Sequence, residues 1–213
     1  MKRSIALAGL MVLAAASSAA AQGRPAQATS TVRACPANAY SIVRAPDGSS
    51  VSILFNDFSA ETTQGQRGTV QATCRIEAPL ALPAGLSAGL TSVDYRGFAY
   101  LGNRQSAQIS ATYEVGRGNG GRFNRRLQGA FDEDFYFIDR LPPGQVRAAG
   151  CAGAPAPVLA INITLGLTTS GQQSPAMIAL DSADQTAGGA LTYRFNIRPC
   201  IRREQTTEID VLT

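Results

Sequence analysis

Thr69-Val70-Gln71-Ala72-Thr73-Cys74-Arg75-Ile76-Glu77-Ala78-Pro79-Leu80-Ala81-Leu82 repeats with a period of two. Val70, Ala72, Cys74, Ile76, Ala78, Leu80 and Leu82 are apolar, and Thr69, Gln71, Thr73, Arg75 and Glu77 alternate with them. A helix would return apolar residues every three or four positions, whereas a strand sends successive side chains to opposite faces. One face of this segment therefore meets a core and the other meets water, as in an antiparallel sheet.

The same period continues outward along the chain. Ile109, Ala111, Tyr113 and Val115 alternate with Ser110, Thr112 and Glu114. Leu159, Ile161, Ile163, Leu165 and Leu167 alternate with Ala160, Asn162 and Thr164. Leu191, Tyr193, Phe195 and Ile197 alternate with Thr192, Arg194, Asn196 and Arg198. Further strands are expected at 39–45, 51–58, 88–101, 134–139 and 176–181, with Asp47-Gly48 as a hairpin turn between the first two. Gly116 to Gly121 and Leu141 to Pro157 read as long loops, and no stretch combines a helical period with caps. The expected fold class is all-β: a single antiparallel β-sandwich over 35–200, of Greek-key or jelly-roll type.

The N-terminus is built for export. Lys2 and Arg3 precede an apolar stretch from Ile5 to Ala16, and Ala19-Ala20-Ala21 offers the small residues a signal peptidase reads. Residues 1–21 are thus an expected signal peptide cleaved near Ala21, giving a secreted or periplasmic protein. The apolar stretch is shorter than the roughly twenty residues a membrane span needs. Residues 22–34 read as a flexible lead-in and 201–213 as a polar C-terminal tail.

An exported chain with Cys35, Cys74, Cys151 and Cys200 is expected to carry two disulfides. If 39–45, 51–58 and 69–82 form a meander, Cys35 meets Cys74. If 158–168 and 191–199 are antiparallel neighbours, Cys151 meets Cys200.

Composition removes much chemistry. The 213 residues include no His, and the basic set is eighteen Arg with the single Lys2, which leaves with the signal peptide. The mature chain has no imidazole base, no Schiff-base lysine and no His-ligated metal. Its seventeen Arg are spread along the chain against fifteen acids, which argues against a nucleic-acid surface.

Three groups of side chains remain as candidates. Asp57 shares its strand phase with Val51, Ile53 and Phe55, which places a carboxylate at the inner edge of a core, where it needs a partner. Asp94 and Arg96 stand at i, i+2 and are expected in the same polar network, either as a structural bridge or as a carboxylate pair for glycoside hydrolysis. Asp132, Glu133 and Asp134 enter an aromatic strand and offer oxygen ligands to calcium. The third group is a pool of aromatics, Tyr95, Phe98, Tyr100, Phe135 and Tyr136, from which a carbohydrate platform could be drawn. Asn162-Ile163-Thr164 also matches a glycosylation sequon.

Val51-Ser52-Ile53-Leu54-Phe55-Asn56-Asp57-Phe58-Ser59-Ala60, Cys74-Arg75-Ile76, Leu82-Pro83-Ala84-Gly85 and Val93-Asp94-Tyr95-Arg96-Gly97-Phe98-Ala99 follow one another in order. With Cys35-Pro36-Ala37 ahead of them, Leu159-Ala160-Ile161-Asn162 after the third Cys, and the closing Tyr193-Arg194-Phe195 through Cys200, they resemble a family of secreted fungal and bacterial proteins catalogued as "domain of unknown function 4360". The resemblance departs at Ile197, where the family pattern has Trp, and in the tail beyond Cys200. It implies export and disulfides, and it brings no activity, cofactor or catalytic residue. The expected function is therefore a non-catalytic binding or cell-envelope module, for a glycan or a protein, without cofactor, nucleic acid or membrane span. The alternatives are a carboxylate-only hydrolase acting on glycans and a subunit of an extracellular assembly.

Overall fold

The computed structural model describes residues 29–36, 38–116, 120–142, 148–151, 156–171, 174–180 and 191–200. The expected signal peptide, most of the lead-in, the C-terminal tail, and parts of both expected loops lie outside the described residues. What is described is all-β. The strands are β1 (Thr29–Ala34), β2 (Tyr40–Arg44), β3 (Ser50–Phe55), β4 (Ser59–Thr62), β5 (Arg67–Pro79), β6 (Leu86–Leu101) and β7 (Ser106–Val115). They continue with β8 (Gly120–Gln128), β9 (Phe131–Arg140), β10 (Ala148–Gly150), β11 (Val158–Ser170), β12 (Ala176–Ala179) and β13 (Leu191–Pro199).

Two sheets face each other across one core. Sheet A runs β1-β5-β11-β7-β8. Sheet B is organised on the long strand β6, which pairs with β10 and β9 as well as with β13 and β12. β13 then carries β3 and β2, and β12 carries β4. The alternation read from the sequence sets which side chains meet: Cys74, Ile76, Ile109, Ile161, Ile163, Leu165 and Leu167 from sheet A pack against Ile53, Val93, Tyr95, Leu191 and Tyr193 from sheet B, all essentially buried.

Four expectations change. The lead-in is not loop throughout, because Thr29–Ala34 forms β1 and runs parallel to β5, the one parallel pair among the described strands. The expected strand 51–58 breaks at Asn56-Asp57, and the chain resumes as β4 with its phase reversed, so that Phe58, Ala60 and Thr62 turn inward. The two expected loops each contain strand, β8 starting at Gly120 and β10 at Ala148. Finally, the strand neighbours used to place the disulfides differ: β2 and β3 pair, but β3 does not pair with β5, nor β11 with β13.

Both disulfides form as expected, Cys35–Cys74 and Cys151–Cys200. The routes differ. β2 and β3 lie in sheet B and β5 in sheet A, so no meander joins them. Cys35 reaches Cys74 because parallel β1 delivers it, with the Cys35 amide donating to the Thr73 carbonyl at 2.8 Å. β11 and β13 likewise belong to different sheets. Cys151 meets Cys200 because β10 and the end of β13 both pair with the start of β6, Gly150 and Arg198 each opposite Ser87.

Close packing explains one glycine on β6. A Cβ at Gly97 would sit 2.1 Å from the Ala179 carbonyl oxygen and 2.5 Å from the Phe135 ring, so the crowded junction of β6, β9 and β12 admits no side chain there. The turn expected at Asp47-Gly48 is present between β2 and β3. Asp47 Oδ1 accepts from the Ser49 amide at 2.9 Å and its hydroxyl at 2.6 Å, bonds that hold the Asp47 carboxyl below its usual pKa.

The outward face of sheet A is largely polar between Thr69 and Glu77. Strand register sets five rows of four residues across β5, β11, β7 and β8, from Thr69–Thr168–Ser106–Gln128 to Glu77–Ala160–Glu114–Gly120. None of these positions carries an apolar side chain larger than Ala160. Threonines pair across the strands, Thr73 with Thr164 at 3.0 Å and Thr69 with Thr168 at 3.3 Å, which supports the register on the wet side.

Candidate functional site

The side chains singled out from the sequence lie along β6, β9 and the turn after β3. They do not assemble as expected. Asp57 is exposed on the break after β3, since the two-residue interruption resets the strand phase and Phe58 takes the inward place. It is therefore no partner for a buried network. Asp94 is buried, but on the outward phase of β6, between the inward Val93 and Tyr95.

Asp94 is neutralised by Arg194 rather than by Arg96. Arg194 lies diagonally across on β13, and its Nη2 and Nε donate to Asp94 Oδ2 at 3.0 and 3.2 Å. Strand pairing makes this contact: Thr192 stands opposite Asp94 and Arg194 opposite Ser92, which puts the guanidinium one diagonal step from the carboxylate. Thr192 also bonds to Ser52 of β3 at 3.2 Å, closing a small polar row over the strands. Arg194 is visible in the sequence as the outward residue between Tyr193 and Phe195. Its relation to Asp94 needed the β6–β13 register, which a periodicity cannot supply.

Arg96 has a different neighbour. It faces Tyr136 across the β6–β9 ladder, with its guanidinium carbon 5.0 Å from the ring centroid. This is a cation–π contact and holds the Tyr136 ring on the surface. Of the aromatic pool, Tyr95 and Phe135 are buried in the core, Phe98 is half-buried, and Tyr136 and Tyr100 are 49% and 39% exposed. Both tyrosines project from the outward face of sheet B, with Ile138 in the same file. The face thus carries two rings, an arginine stacked on one of them, and a neutralised Asp–Arg pair.

The acidic entrance to β9 does not converge on a metal. Asp132 and Asp134 stand opposite Tyr100 and Phe98, and Glu133 stands opposite Ala99, so the strand alternation sends Glu133 to the other side. Among the described residues no three Asp, Glu or Cys side chains are close enough to hold a metal ion. Asn162 of the sequon is exposed on the polar face of sheet A.

The core contains three phenols, Tyr95 from the aromatic pool together with Tyr113 and Tyr193. Tyr95 stacks on Phe123 with ring centroids 3.9 Å apart, and Tyr193 meets Tyr113 edge to face at 5.9 Å. The Tyr113 hydroxyl donates to Asp139 Oδ2 at 2.5 Å, whereas those of Tyr95 and Tyr193 have no hydrogen-bond partner among the described residues. Burial pushes the pKa of all three phenols well above the usual value; neighbouring phenols add to this for Tyr95 and Tyr193, and Asp139 for Tyr113. They remain neutral at physiological pH and serve as packing.

Comparison with known proteins names no activity. A solved structure described as "Structure of infectious bursal disease virus Gx strain" aligns with TM-score 0.27 and 14% identity, over 77% of this chain and 37% of that one. No curated protein matches. Two disulfides staple the sandwich, and among the described residues no helix is long and apolar enough to cross a membrane. The family model "Domain of unknown function (DUF4360)" matches residues 29–200, all thirteen described strands and all four cysteines, and the chain belongs to that family.

Proposed function

We propose that this protein is an exported, non-catalytic glycan-binding module of the cell surface or envelope, contacting its ligand with the outward face of sheet B. The supporting observation is the pair of exposed tyrosines there, Tyr136 braced by Arg96 and Tyr100 further along β6. Sugar rings present apolar C–H faces ringed by hydroxyls, and an exposed phenol offers a flat apolar surface with a polar tip. The Asp94–Arg194 pair beside them contributes fixed hydrogen-bonding groups that need no proton transfer.

Export rests on the N-terminal sequence and agrees with a domain whose four cysteines are all paired. The alternatives find less support. A carboxylate hydrolase needs two acids facing one substrate, and here Asp57 lies on an exposed turn while Asp94 is occupied by Arg194. An assembly subunit needs an inviting edge strand, and β8, which pairs only with β7 among the described residues, carries Arg122, Arg125 and Arg126.

A glycan array probed with the purified protein tests the proposal. Binding that falls at least tenfold in Tyr136→Ala and Tyr100→Ala, with the far-UV CD spectrum unchanged, is the expected result. Array binding that survives both substitutions, or no binding by the wild type, overturns it.

A further inference from the structure

The opposite side of the sandwich, the outward face of sheet A, has two hollows sunk into its polar rows. One, of about 560 Å³, lies on the row Arg75–Asn162–Thr112–Arg122. The other, of about 160 Å³, lies on the row Gln71–Gly166–Gln108–Arg126. Their centres on β11, Asn162 and Gly166, are four residues apart, roughly 13 Å along the strand. The Thr73–Thr164 pair forms the low ridge between them.

A merely solvated face has no need of hollows, and Gly166 is the residue that opens the second one. It sits in the middle of β11, the central strand of sheet A, where a glycine weakens the sheet. Nothing in the packing demands it. Its φ lies outside the left-handed region, and an added Cβ would find no atom nearer than Gln71 Cγ at 3.9 Å and the Gln108 carbonyl at 4.0 Å. A threonine, matching its neighbours Thr164 and Thr168, would fit the strand better and fill the recess. The cost in stability is therefore tied to keeping the recess open.

The lining states the chemistry of what enters. Three guanidiniums, Arg75, Arg122 and Arg126, line the hollows with one carboxylate, Glu114, and Glu77 stands in the row beyond. Arg75 also meets Glu77 at 3.4 Å, but both side chains are largely exposed, so that contact is easily exchanged. The rest of the exposed lining is amide, hydroxyl, glycine and Ala160, with Tyr113, Ile161 and Ala107 buried beneath it, so there is no exposed aromatic ring for stacking a base and no large apolar patch for a protein segment. We infer that this face binds one strand of an acidic polysaccharide, lying along β11 and β7. Its hydroxyls meet the Thr, Ser, Asn and Gln side chains, and its charged groups meet the arginines on either side of the hollows. This site is separate from the tyrosine face of sheet B and uses none of its residues.

The test is affinity electrophoresis of the purified protein in gels containing polygalacturonate, chondroitin sulfate, neutral dextran or polyphosphate. Retardation by the carboxylated or the sulfated polymer, with none by dextran or polyphosphate, is expected, and the two acidic gels show which anion is preferred. Gly166→Thr should raise Tm by about 2 °C and weaken retardation at least tenfold. Arg122→Gln and Arg126→Gln should each weaken it several-fold and flatten its salt dependence. Tyr136→Ala should leave it unchanged, which separates this site from the tyrosine face. Equal retardation by polyphosphate, undiminished binding by Gly166→Thr, or no retardation by either acidic polysaccharide overturns the inference.

Discussion

Replacing Arg194 by alanine should destabilise the fold by about 2 kcal/mol, a value bracketed by two limits. The Arg194 guanidinium makes two hydrogen bonds to Asp94 Oδ2, and the side chains are 56% and 6% exposed respectively. An ion pair lying wholly in water contributes about 0.2–1 kcal/mol, because solvent replaces either partner. Breaking a wholly buried pair costs about 3–5 kcal/mol, because the remaining charge has lost both its partner and water. Here the carboxylate is buried and the guanidinium half-exposed. Once the side chain is removed, water reaches the carboxylate from one side only, and the cost falls between the limits.

A double-mutant cycle of Arg194→Ala and Asp94→Ala isolates the pair, with an expected coupling of about 1–2 kcal/mol. The surface pair Arg75–Glu77, at 3.4 Å with side chains 80% and 62% exposed, is the internal reference, with a coupling below about 0.5 kcal/mol. Asp57→Ala, on the exposed turn, should change stability by no more than about 0.5 kcal/mol. Urea unfolding followed by far-UV CD gives all these values, provided the denaturant slope is common to the variants. A coupling for Arg194 and Asp94 no larger than the reference pair's would refute the reasoning. A large loss in Asp57→Ala would show that the phase reversal after β3 has been misread.

Alkaline pH should act on this fold through tyrosine. Tyr95, Tyr113 and Tyr193 have folded pKa values raised above the unfolded value of 10.0, so the neutral phenol is the form the fold prefers. Their contribution is complete below about pH 10 and is lost as pH rises above it, at roughly 4 kcal/mol per pH unit for three groups. With no His and Lys2 as the only Lys, few other side chains obscure this region. Urea unfolding on either side of that pH, with phenolate absorbance recorded alongside, checks it; a flat stability profile would count against neutral buried phenols. The disulfides enclose sequence separations of 39 and 49 residues, so each should contribute about 4 kcal/mol by restricting the unfolded chain. Cys151→Ala/Cys200→Ala and Cys35→Ala/Cys74→Ala double variants, unfolded in urea, measure these contributions separately, and a loss under about 1 kcal/mol would contradict the loop argument.

Strand content was legible from the residues because the alternation of Val70 to Leu82, Ile109 to Val115 and Leu159 to Leu167 is a local property. It depends only on which side of a pleat each side chain leaves. The break at Asn56-Asp57 was not legible. Phe55 and Asp57 have the spacing of one continuous strand, and only the packing of Phe58 into the core shows that the phase has reversed. β8 was missed for a related reason. Its outward residues include Arg122, Asn124 and Arg126, and its inward side has little beyond Phe123 and Leu127, so an edge strand of this kind carries a weak apolar period. Parallel β1 has a similar difficulty, being a short polar-looking segment made a strand by the neighbour it joins.

By itself the sequence determined what is written in residue type and local spacing: the number of bridgeable cysteines, the chemistry excluded without His, and an all-β core with one wet face per sheet. Which strands lie side by side was decided only in three dimensions. Strand pairing is a contact between segments distant in the chain, and many pairings satisfy the same alternation. That is why both bridges join the expected cysteines although β3 does not pair with β5, nor β11 with β13. It is also why the partner of Asp94 proved to be Arg194, a hundred residues away, and not the arginine two residues along its own strand.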